Sequence, residues 1–379
     1  MRQVSRRFTA LIPSANRWVT ACEWTNDGRT WRPADVVAQG STVTASSTSQ
    51  VRWSCGLNLI GVPIGADGIN GYNTQIRLRH GMDGEPLLPF GVYKVTGAKR
   101  SSGSPLSLAV TGSSFETYLI RARFTSSRTF RKQSGRQLVT QLITEVLPSA
   151  QIAWNVDDAQ VPRIIEPRER WALIDGDRDA TSVARSLAAR IHTTPEGNWV
   201  ADPVPSLTDA PVWTAAVGAD GVLISADEEL ADDGVYNVMV VSGQSTSTAF
   251  PPFKPGVAQD LDPLSPTYVG RPVEQGGFGS RPRFYTSQLI TSSKQAQTAA
   301  QAMLAGYLGQ RQKVAFAQLH NPAIEPGDVG IVSATDGDRR VLLDSVTYAL
   351  DGSPLQAETR TTASTLAGSV GEAPDDGSD

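Results

Sequence analysis

The first 110 residues carry short runs in which apolar and polar side chains alternate, the period of a half-buried β-strand. Residues 74–80 show it most clearly, with Ile76 and Leu78 on one face and Arg77 and Arg79 on the other. Similar runs occupy residues 18–24, 91–95 and 106–110, and residues 41–53 are rich in Thr, Val and Ser. Asp27-Gly28 and the glycine-punctuated stretch 65–71 supply turns. Strands at this rhythm predict a barrel or sandwich rather than a parallel α/β sheet.

After Gly112 the period lengthens. Ser113-Ser-Phe-Glu116 reads as a capping box opening a short helix on Phe115, Leu119 and Ala122. Ser134 opens a stronger helix with Leu138, Val139, Leu142, Ile143, Val146 and Leu147 on one stripe, stopped by Pro148. A third helix is expected to start in 179–182 and run through Val183, Leu187, Ala188 and Ile191, with short strands at 151–154 and 197–200. Strand signals return at 212–213, 221–225 and 235–241. Residues 249–279 are rich in Pro and Gly and read as an extended surface excursion without regular structure. Ser292 then caps an Ala-rich helix ending at Leu308, and strands follow at 313–319, 329–332, 341–349 and 355–361.

The expected fold is α+β and predominantly β. Two β-barrel or sandwich domains occupy 1–113 and 207–245 with 309–362. A small α/β domain is inserted at 114–206, a second, Pro-rich and helical insertion lies at 246–308, and 363–379 form a small-residue acidic tail expected to be disordered.

Charge sharpens this plan. The chain has 379 residues with 34 Lys+Arg and 38 Asp+Glu, a net charge of −4. Residues 1–136 hold 18 basic and 7 acidic groups (+11), residues 137–360 hold 16 and 27 (−11), and the last nineteen hold four acidic groups and no base. Opposite charge on two halves of one chain suits ordered assembly of copies. Arg outnumbers Lys 28 to 6, a sign of a GC-rich genome. No run approaches the ~20 apolar residues of a membrane span, and the basic N-terminus lacks the apolar core of a signal peptide. Cys22 and Cys55 fit no metal spacing and are expected to be free thiols.

His80, His192 and His320 are more than a hundred residues apart, with His192 placed at a helix end. No nucleophile elbow, phosphate loop, His-Glu-x-x-His or paired-Cys motif occurs. The run Asp175-Gly-Asp177-Arg-Asp179 resembles a calcium loop only in part, since no Glu closes it, and helix capping by Asp177 or Asp179 explains the same letters. No catalytic residue, metal or cofactor is expected. The densest basic cluster, Arg121, Arg123, Arg128, Arg131, Lys132 and Arg136, is assigned to contact with an acidic neighbouring subunit; a solvated face and DNA binding are the alternatives. Phe250, Phe253 and Phe278 in the excursion are either anchors for a partner or folded back on their own domain.

Several segments in order resemble a known family. Gly91-Val-Tyr-Lys-Val95, Leu106-Ser-Leu-Ala-Val-Thr-Gly112, Phe115 and Leu119 resemble the end of the first tube-like domain of phage tail-tip hub proteins. Tyr236-Asn-Val-Met-Val-Val-Ser-Gly243, Asp262-Pro-Leu-Ser-Pro266, Phe284-Tyr-Thr-Ser-Gln-Leu-Ile290, the Ala-rich helix and Asn321-Pro-Ala-Ile-Glu-Pro-Gly-Asp328 resemble the hubs of siphophages of actinobacteria. The resemblance implies a non-enzymatic virion protein of the tail tip, synthesised in the host cytoplasm. It implies a homotrimer whose six tube-like domains ring the DNA path and adapt a six-fold tail tube to three-fold tip components. Implied partners are the distal tail protein ring, the C-terminus of the tape measure protein, and central fibre or tip proteins, with genomic DNA passing through unbound. A hub of a contractile injection system and a receptor- or glycan-binding tail protein are the alternatives.

Overall fold

In the computed structural model, which describes residues 1–361 apart from 15, 101–106, 162–163, 167, 176–181, 231–234, 244–252, 288, 309–311 and 336, the alternating N-terminal runs become six strands. They follow a short helix α1 (Arg6–Leu11) and are β1 (Trp18–Thr25), β2 (Arg32–Ser46), β3 (Trp53–Ile60), β4 (Gln75–Met82), β5 (Leu88–Arg100) and β6 (Ser107–Ser113). Period two puts Trp53, Cys55, Leu57 and Leu59 of β3 inside and Ser54 and Ile60 outside. Ile76 and Leu78 of β4 are buried, as their alternation predicts, and Arg77 grips Glu23 on the outer face. The strands pair in the order β1-β4-β5-β6-β3-β2, and β1–β2 contacts such as Cys22 opposite Ala34 close the barrel. Closure removes the sheet edges that would otherwise invite aggregation. Cys22 and Cys55 are buried free thiols, and burial pushes the Cys22 thiol up to about 12, so it stays protonated and packs as an apolar group.

A second set of six strands follows the same plan. These are β14 (Trp213–Ala216), β15 (Leu223–Leu230), β19 (Gln312–Gln318), β20 (Val329–Ala334), β21 (Gly337–Ala349) and β22 (Leu355–Thr361). Their order, β14-β20-β21-β22-β19-β15, is that of the first set, strand for strand. Two differences stand out: β14 runs parallel to β20 where β1 runs antiparallel to β4, and β14 and β15 do not pair, so the second barrel is open there.

Between the barrels lie α2 (Glu116–Arg121), β7 (Arg128–Phe130), β8 (Gln133–Ser134), α3 (Gly135–Thr144), β9 (Ile152–Trp154), β10 (Gln160–Val161), β11 (Ile164–Glu166), α4 (Arg170–Asp175), α5 (Val183–Ser186), β12 (Ala189–Thr193) and β13 (Trp199–Pro203). Ser134 and Gln137 form the capping box of α3, whose apolar stripe packs on Trp171, Trp199 and Ile191. The third expected helix is cut short. Ser182 caps it, but Ala188 adopts a φ of +54° and the chain turns into β12, so His192 sits in a strand rather than at a helix end. Alternating burial of Ala189, Ile191 and Thr193 against β13 outweighs helical spacing. Asp177 and Asp179 lie outside the described residues.

Inside the second set sit β16 (Val238–Gly243), β17 (Gly256–Gln259), β18 (Pro282–Ser287) and α6 (Ser293–Tyr307). Ser292 caps α6, and its Ala296, Ala299 and Ala300 lie on Met239, Val241 and Ala258. The contact is so close that a Cβ on Gly256 would fall 2.3 Å from the Ala296 backbone. The excursion expected to be irregular therefore contains a strand, β17, paired antiparallel with β16, and a 3₁₀ turn at Val273–Gln275.

The two barrels are joined by β2 and β21, paired antiparallel from Thr42 opposite Ala349 to Ser46 opposite Ser345. One apolar core runs through both, from Trp24, Leu59 and Tyr93 to Phe316, Val346 and Tyr348. Across the same junction His80 Nε2 lies 2.8 Å from His320 Nε2, with Thr20 Oγ1 2.9 Å from His80 Nδ1. Trp18 stacks on His80 at a centroid distance of 5.7 Å and meets His320 edge-on at 4.4 Å. Burial, then the neighbouring His320 and Arg2, hold His80 well below the usual imidazole range, and burial lowers His320 to about 4. Two imidazoles in this geometry share one hydrogen bond only while at least one is neutral.

The unfolded chain protonates these rings near pH 6.5 and the folded chain only at lower pH. Stability is therefore complete above about pH 6.5 and falls as the pH drops toward 4. For His320 alone the loss between pH 7.5 and pH 5 is about 2 kcal/mol. Urea unfolding of the wild type and of His320→Gln at the two pH values checks this: the variant's pH dependence should be flatter, and parallel losses would refute the assignment.

Candidate assembly surfaces

The six basic residues singled out in the sequence fall on the α/β part but do not act alike. Arg121 ends α2 and is exposed, as are Arg131, Lys132 and Arg136. Lys132 occupies the left-handed region, φ +57°, in the turn joining β7 to β8. Arg123 is 3.3 Å from Glu169. Arg128 is half-buried and turned inward: its two Nη atoms bond Glu145 at 2.6 and 2.9 Å, and its guanidinium lies over Phe124 and Phe130. Arg170, also over Phe124, reaches the same carboxylate at 2.8 Å. The Arg128 hydrogen bond is the largest cause holding Glu145 down to about 2. Two guanidiniums on one carboxylate between aromatic rings make a packing device. The surface left for a partner is Arg121, Arg131, Lys132 and Arg136.

The aromatic residues of the excursion divide in the same way. Phe250 lies outside the described residues. Phe253 packs on the β16–β17–α6 core, where a Cβ on Gly243 would stand 2.4 Å from its Cζ. Phe278 is partly buried beneath the Arg281 guanidinium at 4.2 Å. The apolar side chains facing solvent are others: Leu261, Leu264, Val273 and Phe284, each about two-thirds exposed or more. Asp262-Pro263 between the two leucines marks a turn but not which way they point, so aromatic content was the wrong signal here.

Two strand edges of the barrels are exposed. The last residues of β5, Gly97 to Arg100, pair with β6 on one side only. β15 pairs with β19 on one side only, and all of Ile224 to Glu229 are exposed. The first edge carries Lys99 and Arg100 and the second Asp227, Glu228 and Glu229. Glu228 is held by Arg339 at 2.7 Å, while Asp227 and Glu229, two apart, share the other face of the strand. An unpaired edge is a template for another strand, and these two edges carry opposite charge, as the two halves of the chain do.

Among the described residues no group of three His, Cys, Asp or Glu side chains converges to hold a metal, and no helix is long and apolar enough to cross a membrane.

Replacing Arg128 by Ala should lower stability by about 1–2 kcal/mol, because Glu145 loses a bidentate, half-buried partner. Arg121→Glu with Arg131→Glu should leave the melting temperature within a degree or two and act only on association. Thermal unfolding beside light scattering separates the two effects.

No family model and no curated protein matches the chain in sequence. Solved structures do match in fold. A tail protein from Neisseria meningitidis MC58 superposes with a TM-score of 0.60 at 13% identity, over 90% of this chain and 96% of its own. The 43 kDa tail protein of prophage MuSo2 from Shewanella oneidensis gives 0.56 at 12%, over 91% and 99%. An Escherichia coli component of the type VI secretion system, itself described as structurally similar to T4 bacteriophage tail proteins, gives 0.50 at 12%, over 89% and 76%. The chain thus has the fold of phage tail proteins, shared with a component of a type VI secretion system.

Proposed function

We propose that this chain is a structural, non-enzymatic hub of the tail tip of a long-tailed phage. Three copies would close a ring around the DNA exit path and adapt a six-fold tail tube to three-fold tip components. The observation that carries the reading is the internal junction. Two barrels of the same strand order meet through the second strand of one (β2) and the fifth strand of the other (β21). The remaining second strand, β15, and the remaining fifth strand, β5, each keep an unpaired edge among the described residues.

Aligning the two sets through their shared pairings, with Gly97 matched to Ser345 and Thr42 to Asp227, places Glu229 of one copy opposite Lys99 of the next. Repeating the internal junction between copies is a heterologous contact, which forms a ring when the rotation closes. Three copies supply six barrels, the number the tail tube presents. Acidic β15 meeting basic β5 favours this pairing over β15–β15 or β5–β5 contacts, where like charges would face each other. The exposed Arg121, Arg131, Lys132 and Arg136, together with Leu261, Leu264, Val273 and Phe284, lie outside these edges and suit the distal tail ring, the tape measure terminus or central tip proteins. DNA passes through without specific binding.

The fold shared with a type VI secretion component favours one second reading, the hub of a contractile injection machine. A sheath protein encoded beside this chain would decide for it.

Particle images of the assembled tail tip should show three-fold symmetry. Lys99→Glu and Glu229→Lys should each lower the proportion of ring-sized particles at least several-fold, and the two variants mixed should not restore it as fully as the double variant. Rings of unchanged abundance in both single variants would refute the edge pairing, and a monomer that joins no ring in the presence of its tail partners would refute the hub.

A further inference from the structure

The four modules of the chain converge on a seam lined by guanidinium groups. Arg52 comes from the β2–β3 turn, Arg190 and His192 from β12, Arg283 from β18 and Arg360 from β22. Arg52, Arg190 and His192 stand between two cavities, one of about 530 Å³ and one of about 310 Å³. The smaller is lined by five arginines, these four and Arg185, against a single carboxylate, Asp175, which accepts the backbone N–H of Ile191 at 3.0 Å.

Two neighbouring carboxylates already have partners, one of them a seam arginine. Asp344 pairs with Arg360 at 3.1 Å, and Glu325 with Arg2 at 2.9 Å. Arg52 donates through Nη2 to the Pro326 carbonyl, while its Nη1 is buried with no partner. His192 Nδ1 is buried and unpartnered as well. Among the described residues the Arg190 guanidinium makes no hydrogen bond and has no carboxylate within ion-pair distance. Burial and the charges of Arg52 and Arg360 lower its pKa to about 9, and the same surroundings keep His192 neutral.

Partly buried cations of one sign repel one another, and a chain has no reason of packing to gather them where its modules meet. Planar N–H forks from several directions, with the hydroxyls of Ser46 to Ser49 on the wall, are the donor set that grips a tetrahedral oxyanion. We propose that the smaller cavity binds a small multivalent oxyanion of the phosphate class, held chiefly by Arg190 and Arg52, and that this anion clasps the two barrels, the α/β module and the β16–α6 module together. The clasp acts where the modules would otherwise repel one another, so its effect is on their relative rigidity.

The test is differential scanning fluorimetry of the full chain in inorganic phosphate and in sodium chloride at equal ionic strength, with ³¹P line broadening as direct readout of binding. Phosphate should raise the melting temperature saturably, by about 3–5 °C at a hundredfold excess over Kd. Arg190→Gln should abolish the difference between the two salts. Arg190→Lys, which keeps the charge and loses the fork, should weaken phosphate binding at least tenfold and stands in should the Gln variant not fold. A wild-type response identical in both salts, with no ³¹P broadening, would overturn the proposal. So would a phosphate effect that survives both Arg190 variants, which would mean an adventitious ion only. Binding that appears only after Glu372, Asp375, Asp376 and Asp379 are changed to their amides would also overturn it, because the occupant would then be the chain's own acidic tail.

Discussion

Everything in this molecule hangs on one strand pairing. The five-residue ladder between β2 and β21 joins two barrels of the same order into a sheet of twelve strands and lets one apolar core run through both. A barrel normally abolishes its edges. Here β2 is long enough to serve three partners: residues 32–34 pair with β1 and 35–45 with β3, while 42–46 also pair with β21 on the side away from β3. The cost of that arrangement is that β5 and β15, its counterparts, end with half their backbone groups unpaired. Such groups are satisfied by water in an isolated chain and by a neighbouring strand in an assembly.

Much of this was legible in the sequence because the signals are local. Period-two runs such as Ile76-Arg77-Leu78-Arg79 specify which face is buried, and Ser134 with Gln137 specifies where a helix starts. Where the reading failed, a tertiary contact decided. Leu187, Ala188 and Ile191 keep helical spacing, yet β13 recruits 189–193 as a strand. Residues 256–259 look irregular between prolines, yet β16 offers an edge and α6 a small-residue face that only Gly256 can approach. The helix α1 carried too few apolar residues to announce itself, and Phe8 is buried only because Met82 and Ala323, distant in sequence, cover it.

The candidate contact residues were less legible for a related reason. Sequence shows charge and aromaticity but not how a side chain is spent. Arg128 and Phe253 look like their neighbours in composition, and each is consumed within its own module, one on Glu145 and one over Gly243. The charge polarity of the chain, by contrast, survives into the fold as opposed strand edges, because β5 and β15 belong to the basic and acidic halves respectively. Long-range electrostatics sets orientation and encounter rate more than affinity. That division of labour suits a ring whose affinity comes from backbone pairing.

The same charges also explain why the seam between modules is unusual. A junction that only needed to be rigid would be filled with apolar side chains, as the β2–β21 junction is, since replacing buried ions by well-packed apolar groups is often stabilising. The seam instead gathers Arg52, Arg190 and Arg283 around a space, and leaves Arg52 Nη1 and His192 Nδ1 there without an acceptor among the described residues. Donors of one sign around a void are complementary to an anion and to little else. A structure whose barrels are locked by a strand pairing and whose outer modules are locked by a bound ion has two separate stiffnesses. The first answers to pH through His80 and His320, and the second to the anions that the surrounding solution contains.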